Sequence, residues 1–144
     1  MDPQQLAEAA AAAMLGRDHV FADLGLELVS VGPGRGAVAM TVRREMTNGH
    51  ALCHGGYLFL LADEAFAVAC NSYDDVTVAA SGAIEFIAPA REGERVTATA
   101  SEVVRSGRRG VYDVVVTNPD GAVLATFRGV SARTSGTNTA PPTV

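Results

Sequence analysis

The dominant pattern along the chain is a run of apolar residues, over roughly residues 56–71, that shows no polar face. Leucine, phenylalanine, alanine and valine occupy nearly every side of the helix that this run predicts, which would be about 24 Å long. Because a helix that is apolar all round cannot lie on a surface, we expect it to be buried. The same run contains Asp63, and a buried carboxylate is costly unless it is hydrogen-bonded or used for chemistry.

Strand-like patterns flank this helix on both sides. Residues 24–31 and 36–43 are predicted strands, and Gly32-Pro33-Gly34 between them indicates a turn. Four more strand-like runs follow the helix, over residues 76–88, 95–105, 111–117 and 122–133. We therefore predict an α+β fold in which a curved antiparallel six-stranded sheet wraps around one long buried helix. The side of the helix that the sheet leaves uncovered would need another subunit.

The two ends of the chain differ from this central part. Asp2-Pro3 is typical of a helix cap and first turn, and Gly16 of a helix end, so residues 1–23 are predicted to form an N-terminal helical extension. Residues 24–133 then make a single domain. The polar, proline-containing segment 134–144 is predicted to be a disordered tail.

Composition and charge narrow the function. A chain of 144 residues with 48% apolar content is one soluble domain with a core of its own. Its net charge of −5 includes no basic run, so we expect no nucleic-acid partner, and no apolar run has the length of a membrane span. Cys53 and Cys70 are too few for a disulfide framework and are expected to be reduced thiols in a cytoplasmic protein.

The residues before the buried helix are typical of an active site. His54-Gly55-Gly56 leaves backbone N–H groups at the helix start, where they attract an anion or a developing negative charge. His50 and Cys53 add the appearance of metal ligands, but no further ligand cluster accompanies them. We therefore predict no metal and no cofactor.

An ordered set of motifs over roughly residues 24–133 resembles the hotdog fold and, within it, the PaaI-type acyl-CoA thioesterases, named for phenylacetic acid degradation. The motifs that carry the resemblance are His54-Gly55-Gly56, Leu61-Ala62-Asp63, Ala69-Cys70-Asn71-Ser72, Ile84-Glu85-Phe86 with Pro89, Gly110-Val111-Tyr112-Asp113 and Phe127-Arg128-Gly129. The resemblance implies hydrolysis of an acyl-CoA thioester to the free acid and coenzyme A.

The resemblance also implies roles for individual residues. Asp63 matches the catalytic carboxylate, acting as general base or nucleophile, and Gly55 matches the residue whose backbone N–H polarises the thioester carbonyl. Asn48 matches a polar residue near the thioester, His54 a histidine that supports the site, and Ser81 a hydroxyl that in some relatives helps to hold the attacking water. From the residues alone, Asp63 could instead be a structural carboxylate, and Ser81 a small residue in close packing.

Further residues are predicted to bind the substrate, and the chain is predicted to form an oligomer. The acyl pocket is predicted near the helix start, and arginines would hold the phosphates of coenzyme A. The predicted binding residues are Gly56, Tyr57, Leu58, Phe59, Phe86, Arg91, Arg105 and Arg108. The resemblance further implies a homodimer that shares its active sites, with two dimers forming a homotetramer.

Two other functions fit parts of the pattern. A hydratase or dehydratase of the same fold would need a histidine and a carboxylate placed to move a proton beside the carbonyl, and the only histidines are His19, His50 and His54. A non-catalytic acyl-CoA-binding module would keep the fold without turnover, although the retained polar residues of the motif argue against it.

Overall fold

The computed structural model describes residues 1–140 as a six-stranded antiparallel sheet packed around one long helix, preceded by two shorter helices. The helices are α1 (Pro3–Leu15), α2 (His19–Asp23) and α3 (Gly55–Cys70), with a 3-10 turn at Arg44–Met46. The strands are β1 (Glu27–Gly32), β2 (Arg35–Thr41), β3 (Asp75–Phe86), β4 (Arg95–Ser106), β5 (Arg109–Thr117) and β6 (Val123–Thr137). The predicted fold is confirmed.

The order of strands in the sheet is β1-β2-β4-β5-β6-β3, and every neighbouring pair is antiparallel. Strand β3 follows α3 in the chain yet pairs with β6, so it forms one edge of the sheet. Its 12 residues have a strand neighbour on one side only. Within residues 1–140 the other edge of β3 is therefore open to pairing.

Helix α3 packs on the sheet through its most apolar side chains, which include Leu61, Phe66 and Val68. Two glycines of the sheet permit the close approach. A Cβ added at Gly36 would lie 2.5 Å from Val68, and one at Gly129 would lie 2.7 Å from Phe66. The prediction of a buried helix is thus confirmed, and these strand glycines are required by the contact rather than by a turn.

One face of α3 remains uncovered by its own sheet. Gly56 and Phe59 are exposed, and Asp63 is only partly buried. Since the residues on this face are spaced three or four apart, they form one continuous stripe along the helix. The uncovered stripe is the structural counterpart of the apolar side for which the sequence predicts a further subunit.

The N-terminal helices only partly follow the sequence pattern. Helix α1 is as predicted, with Asp2 and Gln5 forming a reciprocal capping box. Helix α2 lies within the predicted helical extension but was not predicted as a separate helix; it begins after Asp18, whose side chain accepts a hydrogen bond from the Phe21 N–H at 3.0 Å. Strand β1 begins at Glu27, three residues later than predicted.

The prediction of a disordered tail is wrong for residues 134–140. Strand β6 continues to Thr137, and the next residues are tied to the turn after α3. There the Thr139 N–H and hydroxyl donate to the two carboxylate oxygens of Asp74, at 3.0 and 2.6 Å. Composition suggested disorder because it could not reveal this partner; the predicted tail residues 141–144 lie outside the described chain.

Candidate active site

The start of α3 is built by His54. Its Nδ1 accepts a hydrogen bond from the Gly56 N–H at 3.0 Å, and its backbone carbonyl accepts one from the Tyr57 N–H at 3.0 Å. The Gly55 N–H, in contrast, has no acceptor within residues 1–140. Gly55 therefore presents a free donor at the positive end of the helix dipole.

His54 has a clear structural task at this position. Because Nδ1 accepts a hydrogen bond, the ring is in the neutral tautomer that carries its proton on Nε2. The backbone of the preceding loop is fixed as well: the His54 N–H donates to the Met46 carbonyl at 2.7 Å and the Cys53 N–H to the Ala90 carbonyl at 2.8 Å. His54 thus caps α3, and the loop before the helix is held in place by these backbone hydrogen bonds.

A cleft of about 350 Å³ opens beside the free Gly55 N–H. It brings together four of the residues predicted from the sequence: Asn48, Gly55, Leu58 and Phe86. The other lining residues are Leu52, Cys53, Ile87, Ala88 and Pro89. A mainly apolar cleft with a few polar groups is typical of a site for an acyl chain next to a reactive carbonyl.

Leu52 and Ile87 were not predicted to belong to this site. Their only signal in the sequence is adjacency to the motif, since each is an apolar residue within two positions of a predicted one. Ile87 is also 63% exposed, which is unusual for so large an apolar side chain and marks an open apolar surface in the folded chain.

Asn48 is held by its own loop. Its Oδ1 accepts hydrogen bonds from the His50 N–H at 2.9 Å and from the Leu52 N–H at 3.3 Å. The Nδ2 amide group of Asn48 has no acceptor among residues 1–140. Asn48 therefore supplies a second donor at the cleft, with its orientation fixed by the bonds to its oxygen.

Asp63 is half-buried on the uncovered stripe of α3, and burial raises the pKa of its carboxyl. It lies eight residues after Gly55, which corresponds to about 12 Å along the helix axis. A reacting carbonyl must touch both an N–H donor and a base at about 3 Å. The Gly55 and Asp63 of one chain are therefore too far apart to act on the same carbonyl.

Three further predicted binding residues do not line the cleft of their own chain. Phe59 lies on the uncovered stripe and packs edge-on against Phe127, with ring centroids 5.3 Å apart. Tyr57 is partly buried against the core. The N–H of Gly56 is already bound to His54.

Ser81 is not brought to the cleft. A Cβ added at its neighbour Gly82 would lie 2.9 Å from Phe127 and 3.5 Å from Phe59, so position 82 faces the helix. Neighbouring residues of a strand point to opposite faces, so the Ser81 side chain lies on the outer face of the sheet, away from α3. In the ladder between β3 and β6, Ser81 is paired with Val130. The residues around Ser81 are all small, so the sequence shows no alternation of apolar and polar side chains that would predict which face Ser81 lies on.

The predicted phosphate-binding arginines are divided between the two ends of α3. Arg91 follows the cleft residue Pro89 and is exposed. Arg105 and Arg108 instead line a second cavity, of about 360 Å³, beside the last residue of α3. There the Arg105 guanidinium stacks 3.4 Å from the ring centroid of Tyr73. This second cavity is also lined by Cys70, Asp75, Thr77, Gly107, Arg109, Tyr112, Ser131 and Arg133.

The described part of the chain contains neither a cluster of metal-binding side chains nor a membrane-spanning helix. Among residues 1–140, no three histidine, cysteine, aspartate or glutamate side chains lie together as a metal-binding group. No helix in the same part of the chain is both long enough and apolar enough to span a membrane.

The sheet wrapped around α3, with a cleft at the helix N-terminus, defines a hotdog-fold protein. Residues 50–125 match the family model described as the thioesterase superfamily. The chain belongs to this superfamily, which confirms the prediction of a thioester hydrolase.

Similarity to individual proteins extends over most of the chain. Acyl-coenzyme A thioesterase PaaI of Escherichia coli K12 is 43% identical over 127 residues, which cover 88% of this chain and 91% of that protein. The structure of E. coli PaaI, from the phenylacetic acid degradation operon, superposes with a TM-score of 0.91 at 42% identity, covering 93% of this chain and 97% of the other. A structure from Thermus thermophilus matches with a TM-score of 0.79 at 39% identity, covering 82% of this chain and 99% of the other.

Proposed function

We propose that the protein hydrolyses acyl-coenzyme A thioesters to the free acid and coenzyme A, at sites shared between two copies of the chain. The E. coli relative is named for this reaction, and the cleft beside Gly55 is mainly apolar, as an acyl group requires. The observation that carries the shared site is the separation of about 12 Å between Gly55 and Asp63 along α3.

The chemistry follows from the groups at the cleft. Attack on a thioester builds negative charge on the carbonyl oxygen, and the free Gly55 N–H at the end of the helix dipole stabilises that charge. The Nδ2 amide of Asn48 is a further donor beside it. The base or nucleophile is Asp63 of the second copy, because the first copy's own Asp63 is out of reach.

The surfaces needed for such a dimer lie next to each other. Strand β3 has an open edge, and α3 has an uncovered stripe; position 82 of β3 lies against Phe59 of that stripe. A two-fold axis here would pair β3 with its copy and set the two α3 helices antiparallel. Gly55 and Asp63 each lie four residues from Phe59, so an axis near Phe59 brings Gly55 level with Asp63 of the second copy.

The same axis would bring Arg105 and Arg108, which lie far from the cleft of their own chain, to the cleft of the second copy. Since the helices would be antiparallel, the second copy's Arg105 and Arg108 would come to the side of the cleft on which Arg91 lies. We propose that these arginines bind the phosphates of coenzyme A while the acyl group contacts Leu58 and Phe86. Ser81 has no part in this proposal. Pairing of dimers into a homotetramer rests on the resemblance, and a cytoplasmic location rests on Cys53 and Cys70 being too few for a disulfide framework.

The test is thiol release from a panel of phenylacetyl-type, benzoyl-type and straight-chain acyl-CoA thioesters. Asp63→Asn preserves the shape of the side chain but removes the base or nucleophile, so kcat should fall by about 10²–10⁴ with little change in KM. The matched control is Glu64→Gln, a neighbouring carboxyl outside the cleft, which should cost far less near pH 7. A hydratase would change enoyl absorbance without thiol release, and a binding module would bind the thioesters without either change.

A further inference from the structure

Glu102 and Arg105 lie three residues apart in β4, and yet they point to the same side of the sheet. In a regular strand, residues three apart point to opposite faces. Here the pairing with β5 shifts by one residue between Glu102 and Val104, as in a β-bulge. Glu102 is therefore opposite Tyr112, and Arg105 is opposite Gly110. Since these two partners are two apart and both buried, the bulge turns Glu102 and Arg105 to the face of the sheet that bears α3.

Tyr73, in the turn between α3 and β3, connects these two side chains. The Arg105 guanidinium lies 3.4 Å from the centroid of the Tyr73 ring, and the Tyr73 hydroxyl donates to Oε1 of Glu102 at 3.0 Å. The hydroxyl of the buried Tyr112 donates to the same oxygen at 3.0 Å, and the Nε of Arg105 lies 3.9 Å from it. Glu102 thus fixes the Tyr73 ring, and the ring in turn restrains the Arg105 guanidinium.

The turn that contains Tyr73 is held on both sides. Before it, Ser72 Oγ accepts a hydrogen bond from the Gly34 N–H at 2.8 Å. After it, Asp74 has a φ of 73°, and its carboxylate accepts the hydrogen bonds from Thr139 described above. A residue other than glycine keeps such a conformation only where its surroundings fix it. The Tyr73 ring is therefore a fixed surface for Arg105.

The guanidinium of Arg105 is available to a ligand, because its N–H groups make no hydrogen bond within residues 1–140. Arg108 and Arg109, which line the same cavity, have no ion pair in this part of the chain. Arg133 is paired with Asp75 at 3.7 Å. The cavity therefore has an excess of positive charge, which suits a ligand with several phosphates.

We propose that Tyr73 is a positioning residue that holds Arg105 in the orientation that binds a phosphate of coenzyme A. The inference rests on the proposed function, which places Arg105 against those phosphates. An unrestrained arginine loses much rotamer freedom when it binds a phosphate. Stacking on Tyr73 removes part of that freedom before the substrate arrives, so less of the binding free energy is lost.

The test compares KM for an acyl-CoA with KM for the phosphate-free acyl-pantetheine. Tyr73→Leu removes the ring and should raise KM for acyl-CoA by about twofold to fivefold, the range expected for a stacked cation at an exposed site. Both kcat and KM for acyl-pantetheine should stay unchanged. Tyr73→Phe is the matched control, because it keeps the ring and should restore most of the affinity. Equal effects of the two variants, or an equal rise in KM for both substrates, would overturn the proposal.

A double-mutant cycle shows whether Tyr73 acts through Arg105. Arg105→Ala removes the phosphate-binding group, so Tyr73→Leu added to it should raise KM for acyl-CoA no further. If Tyr73→Leu multiplied KM by the same factor in both backgrounds, Tyr73 would act independently of Arg105, and the positioning role would be overturned.

Calorimetry with coenzyme A itself repeats this cycle without turnover, and Kd should follow the same pattern as KM. If the wild type released no thiol while its affinity for coenzyme A depended on Tyr73 only when Arg105 was present, the positioning role would stand and the proposed function would fail. Thiol release without coupling between the two residues would support the proposed function and reject the positioning role. A protein that neither hydrolysed acyl-CoA nor bound coenzyme A would refute both.

Discussion

Mixing two inactive variants should restore about a quarter of wild-type activity if each active site is shared between two chains. The variants are Gly55→Pro, which removes the N–H that polarises the carbonyl, and Asp63→Ala, which removes the carboxylate. Proline is tolerated in the first turn of a helix, so α3 should still form. Because the two groups lie about 12 Å apart along α3, each variant damages a different half of the composite site.

The expected recovery follows from counting sites. Random pairing of equal amounts of the two chains makes about half of the dimers mixed. Each mixed dimer has one site with both groups intact and one site that lacks both. Since about half of the dimers are mixed and half of the sites in each are intact, about a quarter of the wild-type thiol release is expected.

The structure supplies a control for the glycine variant. Any side chain at position 55 would have its Cβ 2.9 Å from the Phe86 ring, which is 55% exposed and can move aside. Gly55→Ala makes the same contact with Phe86 but keeps the N–H. It should therefore remain far more active than Gly55→Pro, whose loss of one such donor costs about 10²–10³ in rate.

The assay uses differently tagged chains, exchanged by partial unfolding or by co-expression, and isolates the mixed dimers through both tags before thiol release is measured. If mixed dimers of proven composition are as inactive as the parent variants, the site lies within one chain and the antiparallel arrangement of α3 helices is wrong. Equal inactivity of Gly55→Ala and Gly55→Pro would show instead that Phe86 packing, and not the N–H, was lost.

Three further outcomes are expected. Burial raises the pKa of Asp63, and hydrolysis needs the carboxylate form, so kcat/KM should fall as the pH drops through a value above the ordinary aspartate range near 4; a pH–rate profile measures this limb. Ser81→Ala should hydrolyse acyl-CoA at close to the wild-type rate, because its side chain faces outward, and a loss as large as that of Asp63→Asn would return the hydroxyl to the site. Arg108→Ala should raise KM for acyl-CoA but not for the phosphate-free acyl-pantetheine, and equal effects on both substrates would exclude it from phosphate binding.

Several features of this protein were readable from the sequence because their causes are local. The apolar run of α3 requires burial whatever surrounds it. The tight turn at residues 118–121 is also local, because the Asn118 Oδ1 accepts hydrogen bonds from the Asp120 and Ala122 N–H groups at 3.0 and 2.9 Å. The free N–H at Gly55 likewise follows from the position of a helix start.

Tertiary structure decided the features that depend on residues distant in sequence. Strand order placed β3 at the sheet edge, and the register with β6 turned Ser81 outward. Chain folding put Arg105 at the far end of α3 from the cleft and brought Thr139 to Asp74 across 65 positions. No local pattern encodes such pairings, because each is selected by the packing of the whole sheet around the helix, in which many contacts are satisfied together.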